Sequence, residues 1–325
     1  MTDATLLRMT PLRQYGSGRP LVVVAMGGNA LMQPGDDGSL GAQYKRAEQA
    51  ARVMHGIAKR GYRILLVHGN GPQVGQELIR SEEASTKLPI VPLDACVAST
   101  QGTMGYQLEL ALYNTSHTLR VATVLTLVEV KVDDPGFGKP SKPVGPYFPA
   151  HRARDLQKKL KWQMVEDSGR GWRKVVASPR PVGIVNLEAL DASVSRMDVT
   201  IAGGGGGVPV VRDKGRLSGV EAVIDKDLTA ALLGQVLGAN MLLILTAVDH
   251  ISLDFGKPTQ RKVDAMTVAE AEQHYASGQF PPGSMGPKVK AAIEFARATG
   301  HPAAIGSVEH ISRILTGKSG TRILA

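Results

Sequence analysis

The sequence predicts an α/β fold, a sheet with helices packed on both faces. Three observations carry that reading. Short, wholly apolar runs recur along the 325 residues, segments with helical periodicity lie between many of them, and run after run ends in glycines or other small residues. A strand buried on both faces has no polar side to show, so it reads as an unbroken apolar run. Strand–helix alternation then argues for helices on both faces, with ligands expected beyond the carboxyl ends of the strands.

The first run, LVVVAM at 21–26, ends in Gly27-Gly28-Asn29. Residues 44–60 follow with Ala47, Ala50, Ala51, Met54 and Ile57 at helical spacing. The second run, ILLV at 64–67, passes into His68-Gly69-Asn70-Gly71-Pro72. Pro72 suits the first position of a helix. A third apolar run covers 121–130. The fourth, VTIA at 199–202, is followed by five glycines, Gly203 to Gly207. A helix is expected over 228–237, with Asp227 as its cap. The fifth run, 241–248, carries Thr246-Ala247-Val248-Asp249 at its end. A helix over 289–299 and a weaker run, AAI at 303–305, complete the series. One glycine loop is a turn by default. Three on one predicted sheet edge suggest backbone amides brought close to an anion.

The rhythm breaks at about 131–178. KVDDPGFGKPSKPVGPYF leads into a basic helical stretch and then SGRGWRKVVASP. So long an excursion reads as an inserted subdomain or lid. Residues 1–19 read as a poorly ordered extension, and 20–325 as a single domain carrying the insertion.

Composition narrows the functional classes. Net charge is +9, which a solvated basic surface explains most simply and an anionic small-molecule substrate more sharply; no zinc spacing, basic helix or aromatic platform supports nucleic acid. The one cysteine, Cys96, excludes an intrachain disulfide and reads as a small core residue on a helix. The first 20 residues do not read as a signal peptide, and no apolar run approaches the roughly 20 residues of a bilayer span. The expectation is a cytoplasmic protein with no membrane partner.

Familiar motifs fail on spacing. In GNGPQVG at 69–75 the third glycine falls one position late for G-x-G-x-x-G. Gly317-Lys318-Ser319 would complete a P-loop only with glycine at 312, where Ser312 stands. Asp254-Phe255-Gly256 lacks the other protein-kinase motifs. The histidines are scattered, so a metal site made by the protein alone is not expected. Three lysines have suggestive settings: Lys142 in SKPVGP, Lys226 in VIDKDL and Lys288 in PGSMGPK. Lysines with glycine loops suit phosphoryl transfer, which needs charge neutralised on three equatorial oxygens and reactants held in line. Asp227 then has two compatible roles, helix cap or anchor for catalytic ammonium groups.

Taken in order, VVVAMGGNAL, VHGNGPQVG, PLDACVASTQGTMGYQL, KPSKPVGPYF, EDSGRGWRKVVASPRP, IAGGGGGVPVV, GVEAVIDKDLTAALL, LLILTAVD and FPPGSMGPKVKAAIEF resemble the carbamate kinases of the amino acid kinase family over about residues 20–323. The resemblance implies an open three-layer α/β/α sandwich with a mainly parallel central sheet, a small protruding subdomain that is mobile, and a homodimer. It implies reversible phosphoryl transfer between ATP and carbamate, with carbamoyl phosphate and ADP as products and Mg²⁺ held mainly by the nucleotide phosphates. Cells often run that reaction toward ATP in arginine, agmatine or purine-derived catabolism. Another small acid as acceptor, or a regulator that binds nucleotide without turnover, are the alternatives.

Carried over residue by residue, the resemblance gives Lys142, Lys226, Asp227 and Lys288 the catalytic roles. Gly27, Gly28, Asn29, Gly69, Asn70 and Gly71 would hold the phosphate and carbamate end. Gly204, Gly205, Gly206 and Gly207 would lie near the transferring group. Thr246, Ala247, Val248, Asp249, Gly283, Ser284 and Met285 would line the nucleotide. Two departures stand out. Ala247 replaces a common glycine, and Glu129 and Lys131 alter LVEVKVDDP at the end of the third run; the N-terminal extension is also extra.

Overall fold

A computed structural model describes residues 18–27, 36, 38–166, 171–281 and 283–325. Gly28, Asn29 and residues 1–17 of the expected extension lie outside the described residues. Arg19, read with that extension, is tied into the body. Its guanidinium donates to Asp198 at 2.6 Å and to the Tyr62 carbonyl at 2.8 Å.

The chain enters through β1 (Leu21–Met26), α1 (Leu40–Ala58), β2 (Arg63–His68), α2 (Gly71–Glu83) and α3 (Leu93–Thr115). The expected third strand is two strands, β3 (Val121–Val124) and β4 (Leu127–Val130), in different sheets. The break falls at Leu125-Thr126. There the fully buried Thr126 exchanges hydrogen bonds with Gln101 of α3, its amide donating to Gln101 Oε1 at 2.9 Å and its carbonyl accepting Gln101 Nε2 at 3.3 Å. Then come β5 (Lys142–Phe148), α4 (Ala150–Leu160), β6 (Met164–Glu166), β7 (Trp172–Val176), β8 (Pro181–Ile184), α5 (Leu187–Arg196) and β9 (Val199–Ala202). The last third contains β10 (Val208–Asp213), β11 (Arg216–Gly219), α6 (Lys226–Val236), β12 (Met241–Thr246), β13 (Ile251–Leu253), β14 (Arg261–Val263), β15 (Ala265–Thr267), α7 (Val268–Ala276), α8 (Met285–Thr299), β16 (Ala303–Ser307), α9 (Ile311–Leu315) and β17 (Thr321–Leu324).

The main sheet has the order β15-β17-β16-β12-β1-β2-β9-β3. From β16 to β3 every neighbouring pair is parallel, and only β16–β17 is antiparallel. Period-two alternation divides its side chains between two cores. Leu21, Val23, Ala25, Leu65 and Val67 pack with α6 and α8 on one face. Val22, Val24, Met26, Ile64 and Leu66 pack with α1 and α3 on the other. This is the three-layer sandwich, and burial on both faces explains the unbroken apolar runs.

Besides the two-stranded β13-β14 pair, two smaller sheets accompany this body, β11-β10-β4-β8 and β5-β7-β6. The second, with α4, is formed by residues of the inserted segment. It sits against α2 backbone to backbone: a Cβ built on Gly75 falls 1.9 Å from the Gly145 Cα, so only glycine permits this approach. Arg152 of α4 adds ion pairs to Glu82 and Glu83 at 3.3 and 3.2 Å.

Strand order reverses direction between β1 and β12. From β1 the chain builds outward through β2, and it later returns to place β12 on the other side. In open α/β sheets the crevice at such a switch point, beyond the carboxyl ends, receives ligands. Here that edge carries Gly27, Gly69 and Thr246 on adjacent strands, since Met26 pairs with both His68 and Leu245.

Candidate active site

The centre of the site is the first turn of α6. The sequence reading made Asp227 the helix cap. Instead the helix starts at Lys226, and Asp225 caps it by accepting the Asp227 amide at 2.9 Å. Asp227 is thereby the second helical residue, and its carboxylate turns to two lysines. Oδ1 accepts from Lys226 Nζ at 2.5 Å and Oδ2 from Lys288 Nζ at 2.9 Å. Lys288 arrives on the first turn of α8, which packs beside α6. Lys142, at the start of β5, donates to Asp225 Oδ2 at 2.5 Å. Three ammonium groups thus meet two carboxylates, an excess of one positive charge suited to an anion.

Burial sets the electrostatics. Asp227 is 3 % exposed. Burial disfavours its charge, but the ammonium groups of Lys226 and Lys288 outweigh that and hold the carboxyl well below the usual range. Burial pulls the Lys226 ammonium below the ordinary lysine value, Asp227 opposes this, and the charge on Lys288 adds to it. Burying these charges is costly, and the pairing of each ammonium with a carboxylate offsets that cost.

The glycine loop follows β9. Gly203, Gly205, Gly206 and Gly207 all have positive φ, between 62° and 93°. Its neighbours leave no room for side chains. A Cβ on Gly204 would meet His68 Nε2 at 2.5 Å, and one on Gly205 would meet the Asn70 carboxamide at 2.2 Å. Asn70 is itself fixed, donating to Thr100 Oγ1 at 2.8 Å. Two threonines hold the loop: Thr126 Oγ1 accepts the Gly203 amide at 2.8 Å, and Thr229 Oγ1 donates to the Gly206 carbonyl at 2.8 Å. Through Thr229 the loop is locked to α6.

Sequence reasoning missed several of these residues. Asp225, Thr126 and Thr229 were not singled out, although an aspartate just ahead of a helix is an available cap signal. His68, at the head of the second glycine loop, is given no role by the sequence. It is buried, and burial lowers its pKa to about 4, with the charge on Lys226 adding to the effect against the Gly69 carbonyl. The imidazole is therefore neutral at pH 7.

The remaining expected residues occupy two positions. Gly27, Gly69, Asn70 and Gly71 sit at the ends of β1 and β2. Asn70 precedes α2, which begins at Gly71, so Pro72 is the second helical residue rather than the first. Thr246 closes β12. Ala247 and Val248 beyond it are exposed, and Asp249 hydrogen-bonds His310 at 2.8 Å rather than joining the lysines. Gly283 and Ser284 are exposed and lead into α8 at Met285, one turn before Lys288. Among the described residues, no three His, Cys, Asp or Glu side chains gather as a metal site would need.

Comparison with known proteins agrees with this architecture. The model of the amino acid kinase family matches residues 20–307. A carbamate kinase of Lentilactobacillus hilgardii is 43 % identical over 309 residues, 93 % of this chain and 96 % of that protein. The carbamate kinase-like protein YahI of Escherichia coli is 42 % identical over 313 residues, 94 % of this chain and 99 % of its own. The solved structure of carbamate kinase from Giardia lamblia bound to AMP-PNP superposes with a TM-score of 0.87 at 39 % identity, covering 94 % of this chain and 99 % of that one. The chain belongs to the amino acid kinase family and, within it, to the carbamate kinases.

Proposed function

We propose that this protein catalyses reversible phosphoryl transfer between ATP and carbamate, forming carbamoyl phosphate and ADP. The observation that carries the reading is the Lys226–Asp227–Lys288 cluster beside a glycine loop at the switch point of the sheet. Carbamate is already an anion, so no general base is required. Catalysis rests on positioning and on charge stabilisation. Lys226 and Lys288 neutralise the nucleotide phosphates and the transferring group. Asp227 fixes both ammonium groups in a water-poor site. Lys142 approaches from the inserted sheet, and we read the 131–178 segment as a lid that moves over the substrate. Amides of Gly27, Gly28, Gly69 and Gly71, with Asn29 and Asn70, hold the carbamate end, and Gly204 to Gly207 border the transferring group. Thr246 to Asp249 and Gly283 to Met285 border the nucleotide.

Both carboxylates of the cluster have their oxygens engaged by lysines or the helix cap, so the site fits phosphates rather than a bare cation. Mg²⁺ would enter on the nucleotide and withdraw charge from its phosphates. The natural direction we infer is ATP synthesis in a cytoplasmic catabolic route. No described helix is long and apolar enough to cross a membrane.

We also read the protein as a homodimer. Tyr106, Leu110 and Tyr113 share one exposed face of α3, and Leu125 is exposed beside them at the end of β3. β3 is the last strand of the main sheet, so this apolar face lies along an open edge.

Identification of the product tests the reaction. With ATP, Mg²⁺ and a panel of small acids, phosphorus NMR should detect carbamoyl phosphate and no comparable product from acetate, glutamate or aspartate. Preferential phosphorylation of another acid would assign a different acceptor.

A further inference from the structure

We propose that Asp225, beyond capping α6, is the positioning residue for Lys142, and that its charge acts on turnover mainly through that lysine. The inference rests on the phosphoryl-transfer reading above. Asp225 divides its carboxylate between two tasks. Oδ1 caps α6 by accepting the Asp227 amide at 2.9 Å, and Oδ2 accepts the Lys142 ammonium at 2.5 Å. One side chain therefore joins the inserted sheet to the helix turn that presents Lys226 and Asp227.

The need for such a post follows from where Lys142 stands. It is the first residue of β5, and its side chain is one-third exposed, whereas that of Asp225 is 13 % exposed. A long, solvated lysine carries large rotamer freedom, and an ammonium group left free would spend little time in one place. In this closed arrangement the β5 backbone packs on α2 at Gly145, three residues along, so the lysine side chain is what remains to be placed. Asp225 removes that freedom. Its own position is fixed by the cap, and the helix N-terminus favours its charge. An ammonium has three donors. Lys142 can keep Asp225 on one and direct another to a phosphoryl oxygen, so the contact orients the lysine without consuming it.

The test separates the two tasks of Asp225. Asparagine is as good a helix cap as aspartate. Asp225→Asn therefore keeps α6 capped and removes the charge that holds Lys142. A double-mutant cycle with Lys142→Ala reads the coupling. In the wild-type background D225N should lower kcat about 10- to 100-fold, with the KM for MgADP changed by less than about 3-fold. In the K142A background D225N should lower kcat by less than about 2-fold. Equal losses in both backgrounds, or no loss in either, would overturn the proposal. A second variant, Asp225→Ser, also caps helices and should behave as D225N does.

Limited proteolysis supplies a readout independent of turnover. D225N and K142A should each speed cleavage within 131–178 to the same extent, and the double variant should be no faster. Additive acceleration would contradict coupling. If the wild-type chain makes no ATP from carbamoyl phosphate while the proteolysis cycle is non-additive, the reaction assignment fails and the Asp225–Lys142 coupling stands.

Discussion

Asp227 and Lys288 meet at 2.9 Å across 61 positions of sequence, and this contact joins the first turn of α6 to the first turn of α8. With Lys226 on the other oxygen, Asp227 converts two repelling ammonium groups into one rigid unit. Removing its charge leaves two mostly buried ammonium groups without the carboxylate charge they share. Asp227→Asn should lower kcat by about 100-fold or more and destabilise the fold by about 3–5 kcal/mol. Thermal unfolding alongside steady-state kinetics checks both. A variant as stable and as active as wild type would show that the carboxylate organises nothing.

The glycine loop is required sterically, not only for ligand approach. Gly205 has φ +67°, and its missing side chain is the space filled by the Asn70 carboxamide. Gly205→Ala should cost about 1–3 kcal/mol through backbone strain and overpacking, and it should reduce turnover because Asn70 is displaced. Denaturant unfolding and a crystal structure of the variant would test this. An unmoved Asn70 with full stability would contradict it.

His68 gives the fold a pH dependence with a definite sign. Its pKa is lowered to about 4 in the folded chain, against an ordinary value of 6.5. Between those values the unfolded chain binds a proton that the folded one does not, so stability falls as pH drops through that window. A difference of about 2.5 units corresponds to about 3 kcal/mol at full extent. Urea midpoints from pH 7 to 4 should decline, and His68→Gln should flatten the decline. An unchanged slope in the variant would place the proton uptake elsewhere.

The exposed stripe on α3 makes a prediction about assembly. Leu110→Glu should convert a particle of twice the chain mass into one of a single chain mass in light scattering, with secondary structure retained. A single-chain mass for the wild-type protein would remove the stripe from consideration as an interface between copies.

Much of the fold was legible because burial on both faces leaves an unmistakable mark. β1, β2, β9 and β12 read directly as apolar runs. The 121–130 run misled for the same reason: both its halves are strands, and the turn that separates them is marked only by Thr126, a residue equally at home in a strand. The sequence places Cys96 on a helix but does not delimit α3, because its buried positions include Thr100, Gln101 and Gln107 among the apolar ones, which erases the helical stripe. At the site, Lys226 and Asp227 could be singled out from sequence, but two aspartates flank Lys226. Only the backbone at Asp225 decides which one caps the helix and which one faces the lysines. The partnership of Lys142 with Asp225 depends on how the inserted sheet seats against α2, and local sequence carries no record of that.

The most direct test of the central claim is ATP formation from carbamoyl phosphate and MgADP, followed in a coupled assay for the wild-type chain and for Lys226→Ala and Lys288→Ala. The account predicts rapid ATP formation by the wild type and a loss of orders of magnitude in each folded variant. Wild-type turnover in both variants, or no ATP from a wild-type chain that still binds ADP, would contradict it.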